Sequence, residues 1–122
     1  MASNVELAQS FLRILGDGNL SSLKELFSED IRFEYPGIAA ITGRGKAVLL
    51  LKQIMSRFET LQFEATDFIQ DGEKLCVIWK NGGRLKTGEA FHNEGVTVLH
   101  VRNGSIGYVS DYFKQDRVGG PS

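Results

Sequence analysis

The sequence predicts a single α+β domain in which N-terminal helices pack against a strongly curved, mostly antiparallel sheet. Three observations indicate this fold class. Helical patterns are confined to the first half of the 122-residue chain, the second half alternates in polarity as strands do, and tight-turn sequences separate those strands. Helices followed by a run of antiparallel strands are typical of α+β folds. We expect the domain to span residues 1–116 and residues 117–122, which include Gly-Gly-Pro-Ser, to form a flexible tail.

Apolar residues at helical spacing predict three helices. The first begins at a capping box formed by Ser3 and Glu6 and ends at Gly16–Asn19. A second, short helix follows and ends at Ser28–Asp30, and a third is predicted over residues 45–58. The apolar stripes of the three helices are Val5, Ala8, Phe11, Leu12 and Leu15; Leu20, Leu23, Leu26 and Phe27; and Ala47, Val48, Leu51, Ile54, Met55 and Phe58.

Alternating polarity and turn sequences predict the strands. The first, Ile31–Tyr35, lies between the second and third helices, and four more are predicted over residues 61–70, 75–79, 91–101 and 106–114. Asp71-Gly72 and Asn103-Gly104 are tight-turn sequences, and Asn81-Gly82-Gly83 also has turn or bulge composition. Leu75–Trp79 is apolar throughout, which is typical of a strand buried on both faces. Such a sheet, curved over helices, would enclose a cavity suited to a small apolar ligand.

Composition excludes several classes of protein. Lys plus Arg number 14 and Asp plus Glu number 15, a balance that argues against binding to nucleic acid or to a membrane surface. No apolar run is long enough to span a membrane. The single cysteine, Cys76, cannot form an internal disulfide, and His92 and His100 lack the paired spacing of a metal site. We therefore expect a cytoplasmic protein without a metal or another cofactor.

Three local patterns follow one another along the chain. They are Leu26–Phe33 with Pro36-Gly37, Gly43–Val48, and Val101–Ile106 with Ser110–Tyr112. In this order they resemble the SnoaL-like branch of the nuclear-transport-factor-two-like superfamily, which also includes ketosteroid isomerase, limonene epoxide hydrolase and scytalone dehydratase. The resemblance covers Asn4–Lys114 and implies a cystatin-like cone with three N-terminal helices. It leaves the reaction open, because this fold hosts isomerases, cyclases, hydrolases, dehydratases and binding modules.

Asp111 is the first candidate catalytic residue. Alternation in the last strand places it on one face with Val109 and Phe113, and an apolar setting would raise its pKa and make it a better proton acceptor near neutral pH. The resemblance to SnoaL-type polyketide cyclases implies the same role, because those enzymes carry an acid/base aspartate at the matching place. The alternative is an aspartate that lies in solvent at a strand end or pairs with an arginine.

Tyr35 and Asp67 are further polar candidates. Tyr35 stands directly before Pro36, where a resemblance to ketosteroid isomerase would require an aspartate, so steroid-isomerase chemistry is disfavoured. A tyrosine there could still donate a hydrogen bond to a substrate oxygen, or simply line the cavity. Asp67 interrupts an apolar strand face and is either a second inward carboxylate or a residue that a bulge turns to solvent.

Several apolar side chains are candidate ligand-binding residues, or else ordinary core residues. They are Phe33, Phe63, Trp79, Phe91, Val109 and Phe113.

The first functional hypothesis is cofactor-independent proton transfer in a small apolar molecule. The alternatives are a non-catalytic ligand-binding or dimerisation module and, third, an epoxide hydrolase or dehydratase. The third is disfavoured because the resemblance to epoxide hydrolase implies an Asp-Arg-Asp arrangement around a water molecule. Only Asp111 has an evident match, and no arginine and second aspartate lie two residues apart on the relevant strands.

We also expect a homodimer. Apolar residues occupy both faces of the later strands, with Cys76 and Ile78 opposing Val77 and Trp79. One subunit can bury only one of these faces against its own helices, and an uncovered apolar face usually marks an interface.

Overall fold

The structure, a computed structural model, describes residues 3–114. The predicted tail, residues 117–122, lies outside the described residues. The elements are α1 (Asn4–Asp17), a 3-10 helix (Leu20–Glu25), β1 (Phe27–Glu34), β2 (Ile41–Thr42), α2 (Arg44–Met55), β3 (Phe58–Asp71), β4 (Lys74–Leu85), β5 (Ala90–Arg102) and β6 (Ser105–Phe113). No helix among residues 3–114 is both long and apolar enough to cross a membrane.

The strands form one six-stranded sheet in the order β2-β1-β6-β5-β4-β3. Its pairs are antiparallel except for β1 and β6, which run parallel. β3 to β6 form the meander expected from the sequence, and both α-helices contact the sheet. The predicted α+β class with a mostly antiparallel sheet is therefore confirmed.

The helices differ from the prediction at their ends. The capping box is present: the Ser3 hydroxyl accepts a hydrogen bond from the Glu6 amide (3.1 Å), and the Glu6 carboxylate accepts one from the Ser3 amide (2.9 Å). The second helical segment is a 3-10 helix rather than an α-helix and ends at Glu25. Phe27 lies in β1, where it pairs with Ile106, because strand pairing competes successfully with a short helix at this position. Phe58, likewise predicted in a helix, begins β3.

Two strand predictions are also corrected. Gly82 and Gly83 do not form a turn, because β4 continues through them and pairs with β3 and β5. The hairpin between β4 and β5 turns instead at residues 86–89, where Gly88 has φ 95°. The other two hairpin turns lie at Asp71-Gly72 and Asn103-Gly104, as predicted, with Asn103 at φ 53° and Gly104 at φ 78°. The segment Leu75–Trp79 is buried on one face only.

The core lies between the helices and the inner face of the sheet. Its largest fully buried side chains include Phe11 from α1, Leu23 from the 3-10 helix, Leu51 from α2 and Leu99 from β5. The opposite, outer face of β4 to β6 carries partly exposed side chains. Leu75–Trp79 is therefore buried on one face only, because no element among residues 3–114 covers the outer face.

Candidate functional site

A cavity of about 40 Å³ lies between the α-helices and the inner face of the sheet. Apolar side chains from α1, α2 and β3 form one wall. Its polar lining residues are Tyr35, Asn81, Asn93, Thr97 and Asp111. A single water molecule needs roughly 10–15 Å³ when volume is counted as the space open to its centre. The cavity therefore admits a small molecule or the small end of a larger one.

Asp111 stands at this cavity on β6, directly across from Thr97 on β5. The Thr97 hydroxyl donates a hydrogen bond to Oδ1 of Asp111 over 2.6 Å, and the indole N–H of Trp79 donates to the Thr97 hydroxyl over 2.9 Å. Burial raises the pKa of Asp111 from 3.8 to about 6, and the hydrogen bond from Thr97 acts in the opposite direction. A carboxylate with this pKa can both accept and return a proton near neutral pH.

Tyr35 follows β1 and lines the same cavity, with its ring centroid 5.5 Å from that of Phe113. Burial raises the pKa of Tyr35, the negative charge of Asp111 raises it further, and the positive charge of Arg57 lowers it. The phenol therefore stays protonated at neutral pH and can donate a hydrogen bond. The site thus combines a base of raised pKa with a neutral donor.

The raised pKa of Asp111 has a consequence for stability. The folded chain binds this proton more tightly than the unfolded chain, so the group favours folding most below about pH 4, and that contribution is lost as the pH rises through about 6. Asp111→Asn, which cannot ionise, should therefore be more stable than wild type above about pH 7, by up to about 3 kcal/mol. Urea unfolding of both proteins at about pH 4 and about pH 8 measures this difference. A difference in unfolding free energy that does not change with pH would contradict the assignment.

The structure brings most of the sequence-predicted lining residues together. Phe63, Trp79, Phe91 and Phe113 all line the cavity with Tyr35 and Asp111. The rings of Phe63 and Trp79 pack edge to face, with centroids 5.2 Å apart.

Three predicted site residues lie elsewhere. Phe33 and Val109 pair across β1 and β6, are both 0% exposed and belong to the core rather than to the cavity wall. Asp67 is exposed, and its side chain accepts a hydrogen bond from the amide of Phe68. An irregularity in the pairing of β3 with β4 between Ala65 and Asp67 interrupts the alternation of faces. Asp67 therefore faces solvent, the second of the two alternatives, and is not a residue of the cavity lining.

Sequence reasoning missed Thr97, Asn81 and Asn93 as site residues. Thr97 and Asn93 share the inward face of β5 with Leu99, so polar residues at inward positions of an apolar strand were the available signal. Asn81 pairs directly with Asn93, and within residues 3–114 its buried Oδ1 atom has no hydrogen-bond partner. The side-chain amides of Asn81 and Asn93 therefore add polar groups to the cavity lining besides Thr97 and Asp111.

The histidines lie outside the cavity lining. The ring of His100 stacks on that of Tyr108, with centroids 4.6 Å apart, and His92 is exposed. Residues 3–114 contain no group of three His, Cys, Asp or Glu side chains placed to hold a metal ion. The expectation that the protein uses no metal or other cofactor stays a prediction.

Comparison with protein families and solved structures identifies proteins that are similar to this chain. A family model described as the SnoaL-like domain matches residues 8–109. A comparison with curated proteins finds none that matches the chain significantly.

Three solved structures illustrate the similarity. A candidate SnoaL-like polyketide cyclase from Jannaschia sp. CCS1 is 16% identical, with a TM-score of 0.83 over 91% of this chain and 85% of that one. A protein with a ketosteroid isomerase-like fold from Catenulispora acidiphila, in complex with trimethylamine, is 20% identical (TM-score 0.84; 95% and 91% covered). An LEH-like epoxide hydrolase from M. tuberculosis is 18% identical (TM-score 0.76; 89% and 80% covered). At these identities the matches establish a shared fold.

Proposed function

The chain belongs to the SnoaL-like domain family, whose model matches residues 8–109, and from this premise we propose that it is a cofactor-independent proton-transfer enzyme. Its substrate is a small, largely apolar carbon acid held in the cavity. Asp111 is the general base, and Tyr35 is the hydrogen-bond donor to the substrate oxygen. The proposed reaction type is isomerisation or cyclisation.

One observation carries the proposal: a carboxylate with a pKa raised to about 6 stands at an apolar cavity beside a protonated phenol. In the first step Asp111 removes a proton from a carbon next to a carbonyl, and the electron pair of that C–H bond moves toward the carbonyl oxygen. The Tyr35 hydroxyl donates a hydrogen bond to the enolate oxygen as its charge develops. In the second step Asp111 returns the proton to carbon, so no redox partner is needed.

Exchange of carbon-bound hydrogen in deuterated water tests this proposal. Small ketones and enones such as cyclopentanone and cyclopentenone serve as probes, and proton NMR follows the loss of signal at the carbon next to the carbonyl. The wild-type protein should accelerate exchange over buffer, and Tyr35→Phe should reduce that acceleration. Exchange at the buffer rate across a panel of such compounds would count against the proposal.

A non-catalytic ligand-binding module is the second candidate function. The apolar lining of the cavity favours it equally, and the similar fold from Catenulispora acidiphila has been solved in complex with trimethylamine. Binding of a small molecule without any carbon–hydrogen exchange would support this candidate. Epoxide hydrolysis ranks third, because the cavity lining among residues 3–114 contains one carboxylate and no arginine.

We further propose that two copies of the chain associate through the outer face of the sheet. Cys76 pairs with Val98, Ile78 with Val96, and Val96 with Tyr112, so these side chains form one continuous apolar patch across β4, β5 and β6. Tyr112 is 59% exposed and the other four are partly exposed in the single chain. A second copy of the same face would cover the patch through a two-fold contact.

Charge in this outer patch should break the dimer. Wild type should sediment at about twice the chain mass of 13.5 kDa at micromolar concentration, and Val96→Asp should sediment as a monomer because it places a carboxylate in the buried contact. Leu49→Asp, at an exposed position of α2 away from the patch, is the matched control and should remain dimeric. A monomeric wild type at that concentration would refute the proposed contact.

A further inference from the structure

A chain of two hydrogen bonds crosses three neighbouring strands and ends on the carboxylate of Asp111. The indole N–H of Trp79 on β4 donates to the Thr97 hydroxyl on β5 over 2.9 Å. The Thr97 hydroxyl donates to Oδ1 of Asp111 on β6 over 2.6 Å. The first bond has an ordinary length and the second is short, and Thr97, which takes part in both, is 2% exposed. The Thr97 hydroxyl is therefore sheltered from competition by bulk water, whereas Asp111 is partly buried.

The chemistry of the three groups fixes the direction of the chain. An indole N–H is a donor only, so the Thr97 oxygen must accept from Trp79. The single hydroxyl proton of Thr97 is then directed to Asp111, and Oδ1 accepts it. Within residues 3–114, Oδ1 has this partner and Oδ2 receives no hydrogen bond. Oδ2 is therefore the oxygen with more free capacity to accept a proton.

We propose that Thr97 is a positioning residue that engages Oδ1 of Asp111 and so presents Oδ2 to the cavity as the oxygen that accepts and returns the proton. Trp79 supports this role, because its N–H prevents the Thr97 hydroxyl from rotating away. The proposal rests on the proposed function, in which Asp111 is the general base. Oδ2 is then the oxygen that reacts, and Thr97 is the residue that determines this choice.

The electrostatic surroundings of Asp111 make the role of Thr97 measurable. Among the described residues, Tyr35 is the other titratable residue of the cavity lining, and the lining residues from α1, α2 and β3 are apolar. Burial raises the pKa of Asp111, and the Thr97 hydrogen bond lowers it. Loss of the hydroxyl should therefore raise the pKa further, a change that a residue serving only to fill space would not produce.

NMR titration of the Asp111 side-chain carboxyl carbon tests the proposal without any substrate. Thr97→Val removes the hydroxyl at nearly constant volume and should raise the pKa of Asp111 by about one unit or more, since hydrogen bonds to charged groups are strong. Thr97→Ser keeps a hydroxyl and should titrate as wild type does. Thr66→Val is the matched control, because the Thr66 hydroxyl donates to the backbone oxygen of Ile78 instead. If Thr97→Val does not fold, Thr97→Ala makes the same comparison.

An unchanged pKa in Thr97→Val, or a Thr97→Ser variant that titrates as Thr97→Val does, would overturn the proposal. The exchange assay adds a kinetic readout: Thr97→Val should lower kcat with little change in KM, and Thr97→Ser should restore kcat. Equal losses in the valine and serine variants would also overturn it. Because the titration needs no substrate, it tests the role proposed for Thr97 independently of the proposed function. A wild type without exchange activity refutes the proposed function and the catalytic meaning of Thr97, even where the titration confirms the hydrogen bond.

Discussion

Asp111→Asn should lower the rate of carbon–hydrogen exchange by roughly 100- to 10,000-fold, the usual contribution of a general base. The amide is nearly isosteric with the carboxylate and its oxygen can still accept the hydrogen bond from Thr97, so the cavity should keep its shape. What is lost is the basic oxygen, because an amide does not accept a proton near neutral pH. Proton NMR in deuterated water, with wild type and variant at equal concentration, gives the ratio of rates.

The matched control is Asp67→Asn, the same substitution at an exposed aspartate outside the cavity. Exchange by this variant should equal that of wild type. Unfolding experiments establish that Asp111→Asn is folded at the assay pH, where it should be at least as stable as wild type. A folded Asp111→Asn with wild-type exchange would remove Asp111 from the reaction and favour the ligand-binding module.

The fold could be predicted where local chemistry determines the structure. The Ser3–Glu6 capping box and the Asn103-Gly104 turn depend on residues close in sequence, and both are present as expected. Phe27 and Phe58 were predicted in helices because their spacing suits a helical stripe. Their position is decided by partners distant in sequence, Ile106 and Leu85, which no local pattern contains.

The candidate site was predictable where a local pattern, the alternation of faces along a strand, determines the direction of a side chain. Alternation along the last strand placed Asp111 and Phe113 on one face, and both line the cavity. Alternation gives the face of a residue but not its depth, so Val109 lies in the core instead. It also fails after a bulge, as at Asp67. The link from Trp79 through Thr97 to Asp111 depends on the register of three strands, and that register is fixed only when the sheet assembles.

Gly95→Ala should be among the most destabilising single substitutions in the chain. A Cβ atom at Gly95 would collide with the backbone carbonyl oxygen of Tyr112 and lie 2.8 Å from Cβ of Phe113 and Cζ2 of Trp79. Backbone atoms of β6 cannot rotate away from such a contact, so β5 and β6 must separate locally. We expect the free energy of unfolding to fall by about 3 kcal/mol, the upper end of the usual cost of overpacking.

Urea unfolding followed by tryptophan fluorescence measures this loss at the site itself, because Trp79 is the single tryptophan of the chain. The matched control is Gly82→Ala, a glycine of the neighbouring strand β4 at which a Cβ atom would meet only the oxygen of Phe91, at 3.7 Å. That control should unfold at the wild-type urea concentration or slightly above it, because alanine is less flexible than glycine in the unfolded chain. Equal stability of the two variants would show that the close packing of Trp79 over Gly95 is not a constraint on the site. A selective loss in Gly95→Ala, with an altered native fluorescence, would show that the chain needs a residue without a side chain at Gly95, where β6 and Trp79 pack closely against β5.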